Sequence, residues 1–308
     1  MRFQLRQVIF ALTLFFLMVI IGYVLRTYSL SEILKELKKI SLFDFLVIVT
    51  LVTVNYLVLS LIDYVALKTV LRNNIKFKIA FSSSFVANSF SYNLGAPLVV
   101  GTFFRFRILS LAGISMKQIL DAIILVSFHY WVALAVCFSM ISLVTSILGY
   151  QSIFSPTISS VMTLVSTGGL VFYFFFLEKR RIFKIFNLKF LTPPRPVIQK
   201  ILLVCILDWL THYSVFYFCI PGHSVNYLEL AVPFLLSQTV GLISHIPGGF
   251  GVFESVGFLT LKNIIKPEAL IAGMIVYRLF MYFVPLLIAA VIYSLFELKA
   301  GKNRDSQF

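Results

Sequence analysis

Two apolar segments of this chain carry the residues that could bind a charged ligand inside a membrane. The first, residues 82–107, reads SSSFVANSFSYNLGAPLVVGTFFRFR, and the second, residues 237–257, reads SQTVGLISHIPGGFGVFESVG. Each is broken near its middle by Gly and Pro and is dense in polar residues. Because a helix that starts at such a break exposes backbone amides and a partial positive charge, the breaks predict binding of an anion such as a lipid phosphate.

The candidate site residues are the polar, small and charged side chains at and beside these breaks. They are Asn88, Asn93, Gly95, Pro97 and Arg105 in the first segment and His245, Pro247, Gly248, Gly249, Gly251 and Glu254 in the second. Proline in a first helical turn presets helical geometry without orphaning an amide, and glycine leaves the backbone accessible. For either break taken alone, a packing kink is the alternative.

Three further ionisable residues, Arg278, Asp208 and His212, fall inside apolar runs, where a charge costs roughly 2.5 to 3.5 kcal/mol on insertion scales and so needs a partner. At about 1.5 Å per helical residue, Arg278 and Glu254 both lie about 12 to 15 Å from the outer face, which predicts an ion pair or a shared network. Asp208 and His212 share one helix face and could relay protons. The alternative for them is a plain polar contact between helices.

Arg105 is predicted to lie at the depth of Asp63, so that each neutralises the other until a lipid phosphate competes. Arg107 is nearer the surface and is expected to extend to the headgroups. His245 could ligate a metal, but no Cys, His or Asp cluster with metal spacing accompanies it in the sequence, which favours a polar contact. We expect no metal and no cofactor.

These residues belong to a chain with the composition of an integral membrane protein. Of its 308 residues, 60% are hydrophobic and 12% are charged, and the mean hydropathy is +0.98, which excludes a soluble fold. Several apolar runs are long enough to cross a hydrocarbon core of ~30 Å as helices. Six crossings are predicted, over residues 7–25, 42–67, 118–148, 158–177, 201–220 and 269–296. The net charge of +14 is attributed to loops that set orientation, and nucleic acid is not an expected partner.

The basic residues predict how the two broken segments are threaded. Basic clusters at 68–78 and 105–117 flank the first, so a re-entrant hairpin over about 79–109 keeps both clusters cytoplasmic, whereas a single crossing would place one outside. The basic loop at 179–200 and both termini are also predicted to be cytoplasmic. The second hairpin, over about 230–261, must then enter from the outer face.

The predicted fold is therefore an all-α polytopic membrane protein with six full spans and two oppositely oriented re-entrant helical hairpins in an inverted repeat. One transmembrane domain covers 1–308, with inverted halves of about 1–148 and 158–296. Such halves are typical of transporters, and irregular backbone at membrane depth is tolerated only where it is buried or lines a wet cavity. The charged stretch 26–41 is predicted to be either an interfacial amphipathic helix or a solvated linker.

The segments SHIPGGFGVFE at 244–254 and NSFSYNLGAPLVVGTFFRFRILSLAGIS at 88–115 resemble the two signature regions of the transmembrane domain of lysylphosphatidylglycerol synthases, which is also found in stand-alone flippase-like proteins. The resemblance spans nearly the whole chain. For two-domain members it implies that the membrane part moves aminoacylated phosphatidylglycerol outward, while a separate soluble domain makes that lipid from aminoacyl-tRNA. It transfers onto Pro247, Gly248, Gly249, Gly251 and Glu254 in one signature and onto Asn88, Gly95, Pro97 and Arg105 in the other.

The function expected from these features is that of a lipid translocase or flippase of the cytoplasmic membrane. Its substrate would be a phosphate-bearing lipid, aminoacylated or glycan-linked. Because the sequence ends at Phe308, soon after the last span, lysyltransferase activity is not expected. The alternatives are a membrane-embedded transferase, an accessory subunit of a lipid-modification or envelope-glycan pathway, and an ion or small-solute transporter. A separate lipid-modifying enzyme and a second copy of the chain are left open as partners.

Overall fold

The chain is mainly helical in the computed structural model, which describes residues 29–71, 75–150, 156–177, 182–185, 188–191, 193–223 and 225–305. The predicted crossing at 7–25 lies outside these residues. The helices are α1 (Leu30–Leu37), α2 (Leu42–Leu71), α3 (Phe77–Leu94), α4 (Pro97–Leu109), α5 (Met116–Ile147), α6 (Pro156–Leu177), α7 (Arg195–Cys219), α8 (Tyr227–Ile243), α9 (Val252–Leu261), α10 (Pro267–Arg278) and α11 (Val284–Asp305). A π-helical turn, Leu279–Phe283, joins α10 to α11.

Four helical segments are long and apolar enough to cross a membrane, which makes this a membrane protein. They are Leu42–Leu71, Met116–Ile147, Arg195–Cys219 and Pro267–Leu298, and they coincide with four of the six predicted crossings. The predicted crossing at 158–177 is helical as α6 but does not count among the four. The described residues thus support four crossings, and six crossings remain a prediction.

The first broken segment forms two helices that run side by side in opposite directions. The rings of Phe90 on α3 and Phe104 on α4 stack with centroids 4.2 Å apart. Helix α3 ends at Gly95 and Ala96, whose φ angles are +72° and +45°, and Pro97 then starts α4. The left-handed conformation of these two residues turns the chain back on itself.

The second broken segment has the same construction. Helices α8 and α9 pack against each other, and a Cβ built on Gly249 would lie 3.2 Å from the Cα of Gly241. Gly248, Gly249 and Gly251 all have positive φ in the turn between the two helices. We call α3–α4 the first hairpin and α8–α9 the second hairpin; their re-entrant placement and the inverted repeat remain predictions.

Helix α7 positions most of the buried polar groups because it lies at the centre of the fold. It packs against α2, α5 and α10. Trp209, Tyr213 and Phe216 on α7 are among the largest fully buried side chains. The core around α7 therefore holds Asp208 and His212 away from solvent.

The charged stretch before the second predicted crossing contains a short helix, α1, so the helix interpretation is correct and the linker interpretation is wrong. Its buried Ile33 packs with Ile271 and Ala272 of α10. On the exposed face Lys35 donates a 2.7 Å hydrogen bond to Glu32, and this bond lowers the pKa of Glu32.

The basic loop at 179–200 departs from the all-α prediction. It contains two short antiparallel strands, β1 (Ile182–Ile185) and β2 (Leu188–Leu191), with Ile182 opposite Leu191. Both tetrapeptides are rich in large apolar residues, and IFKI combines β-branched and aromatic side chains that favour strands.

Candidate functional site

The tips of the two hairpins contact each other. A Cβ built on Gly95 would lie 2.7 Å from the Cα and 2.8 Å from the nitrogen of Pro247, and one built on Gly248 would lie 3.1 Å from the carbonyl oxygen of Tyr92. The two distances at Gly95 are shorter than real Cβ contacts, and the one at Gly248 is tighter than most of them. At Gly95 the backbones therefore approach as closely as only glycine allows. Two breaks predicted independently from the sequence thus form one site.

A small cavity of about 30 Å³ lies where the tips meet. Five of the candidate site residues line it, namely Gly95, Pro97, His245, Gly248 and Gly249. Tyr92, Gln238 and Tyr282 supply polar groups to the same wall. The volume admits one or two water molecules, so the tips are closed on each other in this conformation.

Arg278 fixes the tip of the second hairpin. Its side chain is 6% exposed, and its Nε donates a 2.7 Å hydrogen bond to Glu254 Oε1. Its Nη1 donates to the carbonyl oxygen of Gly248 at 2.5 Å, and its Nη2 donates to that of Gly249 at 3.4 Å. The ion pair expected from the depth of the two residues is present, and it also holds the glycine turn.

Aromatic rings complete the surroundings of this guanidinium. Its carbon lies 4.5 Å from the ring centroid of Tyr282, 4.6 Å from that of Phe250 and 5.1 Å from that of Phe253. Ring faces at such distances attract a cation. Arg278 therefore remains charged and bound although it is buried.

Glu254 occupies the helix start at which an anion was expected. Its Oε2 accepts a 2.8 Å hydrogen bond from the backbone N–H of Gly251, directly before α9. The carboxylate thus takes the place of an external anion at the N-terminus of α9. An incoming phosphate at this tip would compete with Glu254.

Arg105 forms a second ion pair, in the first hairpin. Its Nε and Nη2 donate to Asp63 Oδ2 of α2 at 3.0 and 2.8 Å, and Nη2 also donates to Asn88 Oδ1 at 3.0 Å. Both charged side chains are mostly buried, with exposed fractions of 14% and 11%. The contact between Arg105 and Asp63 that the sequence predicted is present.

Arg107, which is predicted to extend to the headgroups, forms an ion pair on a partly exposed surface. Its Nε and Nη2 donate to the two carboxylate oxygens of Glu297 on α11 at 2.7 and 2.6 Å. The pair is about one-third exposed. The two residues are far apart in the sequence, so only the packing of α4 near α11 brings them together.

Asp208 and His212 have separate partners although they share a face of α7. Asn55 of α2 donates a 2.9 Å hydrogen bond to Asp208 Oδ1. His212 Nε2 lies 2.5 Å from the hydroxyl of Tyr277 and 3.2 Å from the amide nitrogen of Gln238. Asp208 and His212 therefore make polar contacts with different helices, and the hydrogen bonds of the described residues do not join them to each other.

Several residues of the site were not among the sequence candidates. The candidate Asn93 donates a 3.2 Å hydrogen bond to the carbonyl oxygen of Tyr282 in the π-helical turn. Gln238, which contacts Tyr277 and Tyr282, was not a candidate, and neither were these two tyrosines. Gln238 had a signal, because it lies in the polar stretch before the second break. The tyrosines had none, because tyrosine is equally common at membrane interfaces.

His245 lies in the turn at the tip of the second hairpin. Its φ is +56°, and its Nδ1 lies 2.7 Å from the carbonyl oxygen of Ile243. The side chain is exposed and borders the cavity. The contact of its ring with a backbone oxygen agrees with the expected polar contact.

Residues 8–289 match the family described as the lysylphosphatidylglycerol synthase TM region. The chain belongs to this family. The match covers both hairpins and the helices around them, as the resemblance of the two signature segments implied. Family membership links this membrane protein to lipid modification.

Three similar proteins illustrate the range of the family. The uncharacterized protein slr0712 of Synechocystis sp. is 26% identical over 265 residues, 83% of this chain and 80% of that protein. The phosphatidylglycerol lysyltransferase of Staphylococcus aureus is 38% identical over 95 residues, 30% of this chain and 11% of that protein. The inner membrane protein YbhN of Escherichia coli is 35% identical over 104 residues, 33% of this chain and 32% of that protein. The matches to the last two therefore cover only a small part and about a third of those proteins.

Proposed function

We propose that this protein moves a phosphate-bearing lipid between the leaflets of the cytoplasmic membrane. The observation that carries the proposal is the contact between the two helix breaks, where Gly95 lies against Pro247. Non-helical backbone at membrane depth is tolerated only where it is buried in protein or lines a cavity. Two such breaks around one cavity are typical of a transport site.

The lengths of the hairpin arms support a re-entrant placement. Helices α3 and α8 have 18 and 17 residues, and α4 and α9 have 13 and 10. At about 1.5 Å per residue, each arm is shorter than a hydrocarbon core of ~30 Å. Because the two arms of a hairpin run in opposite directions, each hairpin returns to the face at which it entered, and the two tips meet between the faces.

The buried ion pairs support a phosphate-bearing substrate. Arg278 and Arg105 each hold a carboxylate, Glu254 and Asp63 respectively. Arginine binds phosphate with the same planar fork of donors. In the proposed cycle the tips separate, the phosphate replaces a carboxylate on one arginine, and the lipid tails stay in the bilayer.

The orientation and partners follow from charge and family. The basic loops favour an orientation with both termini in the cytoplasm, and the relative YbhN is named an inner membrane protein. The partner we propose is a membrane phospholipid or lipid-linked substrate, aminoacylated or glycan-linked, supplied by a separate enzyme. No catalytic role is assigned to this chain.

The first test is mass spectrometry of the lipids that the protein retains after purification in mild detergent. We compare the wild type with Arg105→Ala and Glu254→Gln. The matched control is Arg107→Ala, which removes an arginine–carboxylate pair on the same helix but away from the tips. We expect one lipid class to be enriched in the wild type and the control and lost in the two site variants.

Transport itself is measured in proteoliposomes, as movement of a headgroup-labelled phosphatidylglycerol between leaflets. We expect the wild-type protein to move the labelled lipid without any added enzyme. The matching Staphylococcus aureus relative is named a lysyltransferase, which favours an accessory role as the second candidate. Two results together would favour the accessory role. The retained lipid would have the composition of the bulk membrane, and lipid would move only when a lipid-modifying enzyme is added.

A further inference from the structure

Asp208 is an acidic side chain enclosed in the middle of the core. It is 0% exposed, and α7, which carries it, lies in one of the four segments that can cross a membrane. Its Oδ1 accepts the hydrogen bond from Asn55, and Asn55 also donates to the hydroxyl oxygen of Thr211 at 2.9 Å. These two neutral side chains belong to the same cluster as the carboxyl group.

No cation neutralises this carboxyl group among the residues that the structure describes. The two buried arginines are bound elsewhere, Arg278 to Glu254 and Arg105 to Asp63. The phenol of Tyr130 also interacts with the carboxyl group of Asp208. By distance and angle, neither Asp208 Oδ2 nor Asn55 Oδ1 has a hydrogen-bond partner in the described part of the chain. An unpaired carboxylate in such surroundings is very costly, whereas a protonated carboxyl group is not.

A bound metal ion is a poor alternative. Hard divalent cations take six to eight oxygen ligands or an octahedral shell, and this cluster offers the carboxyl group, Asn55 Oδ1 and the Thr211 hydroxyl. The Thr211 hydroxyl already donates to the carbonyl oxygen of Leu207. A proton needs only the one free carboxyl oxygen.

The neighbouring titratable groups do not supply a charge either. The groups on the surrounding helices that interact electrostatically with Asp208 are Tyr56, Tyr92, Tyr130, Cys137 and Cys205. Phenols and thiols are neutral in their ordinary state at pH 7. On α7 itself His212 is bound to Tyr277 and Gln238, and the charge facing His212 is that of Arg278.

The position of Asp208 connects it to the cavity. Tyr92, which interacts with Asp208, lines the cavity between the tips. Tyr92 is also a neighbour of Gly95, so separation of the tips would open a path for water toward Asp208.

We propose that Asp208 is a proton-binding site that couples lipid movement to a proton gradient. The coupling to lipid movement rests on the proposed function, whereas the proton site itself rests on the burial and contacts of Asp208. In the closed conformation Asp208 holds its proton. When the tips separate, the O–H bond breaks and the proton passes to a water molecule, which leaves a hydrated carboxylate.

Infrared difference spectroscopy of the purified protein tests the site without any lipid assay. A protonated carboxyl group gives a C=O band that a carboxylate lacks and that shifts in D₂O. We expect such a band in the wild type at pH 7 and its loss in Asp208→Asn. In the matched control Asp63→Asn the band stays, because the Asp63 side chain is bound to the Arg105 guanidinium and is not the proposed proton site. If the band persists in both variants, the proposal that Asp208 binds a proton is overturned.

Proteoliposomes with an imposed pH gradient test the coupling. With headgroup-labelled phosphatidylglycerol, we expect the gradient to change the rate in the wild type and to have no effect in Asp208→Asn, whose amide carries no titratable proton. An equal response to a sodium gradient, or a wild-type rate unaffected by pH, overturns the coupling. If no variant moves lipid but the infrared band is present and depends on Asp208, the proposed function fails while the proton site stands.

Discussion

Gly95 packs against the backbone of Pro247 with no space for a side chain between them. The contact joins two helix breaks from different parts of the chain and closes the cavity they share. Because the two breaks are in direct contact, we expect a substitution at either tip to alter the packing of both tips.

A methyl group at this contact adds crowding to the backbone strain of an alanine with positive φ. Gly95→Ala places a Cβ 2.7 Å from Pro247, and Gly113→Ala places one in open space at a nearly equal φ of +76°. Both variants place Ala at a positive φ, but the strain is larger at Gly95, whose ψ is −178°, than at Gly113, whose ψ is 14°. Only Gly95→Ala also adds overpacking of about 1–3 kcal/mol. We expect thermal unfolding in detergent at a clearly lower temperature for Gly95→Ala. Equal melting temperatures for the two variants would contradict the tip contact.

The guanidinium geometry of Arg278 gives a second prediction. Lysine keeps the charge but loses the planar fork that reaches Glu254 and the Gly248 carbonyl together. We expect Arg278→Lys to lower both stability and lipid movement. The stability loss should stay below the ~3–5 kcal/mol typical of a fully buried broken pair, because Glu254 is 26% exposed. A lysine variant as stable and active as the wild type would show that charge alone is sufficient.

Competition between the Asp63 carboxylate and a lipid phosphate for Arg105 gives a third prediction. Asp63→Asn removes the charge that holds Arg105 and leaves the guanidinium free for phosphate. We expect this variant to retain more anionic lipid than the wild type, the opposite of Arg105→Ala. Quantitative mass spectrometry of retained lipid measures it. A decrease in Asp63→Asn would mean that the pair has a structural role and does not compete with lipid.

The side of the membrane on which the ends of each hairpin lie gives a fourth prediction. Lys76 and Gly113 flank the first hairpin, and Asn226 and Asn263 flank the second; all four are exposed. Cysteines placed there should react with a membrane-impermeant reagent from one face for the first pair and from the opposite face for the second. Background is low because Cys137, Cys205 and Cys219 are buried. Labelling of Lys76→Cys and Gly113→Cys from different faces would show that the first hairpin crosses the membrane.

The helices and the two breaks were predictable from the sequence because their causes are local. Apolar runs determine where a helix can enter lipid, and Gly and Pro determine where it must stop. The predicted hairpins at 79–109 and 230–261 agree with Phe77–Leu109 and Tyr227–Leu261 to within a few residues. Depth along a helix is also local, so the pairs Glu254–Arg278 and Arg105–Asp63 could be anticipated.

The remaining contacts depended on tertiary structure, because they join residues whose spacing in the chain carries no information about their distance. The partner of Arg107 is Glu297, and Asp208 and His212 have different partners although they lie four residues apart on one face. The approach of Gly95 to Pro247 has the same origin. The sequence by itself determined which residues leave the helices and which charges enter the membrane, and the packing of α7 with α2 and of the two tips decided what those residues touch.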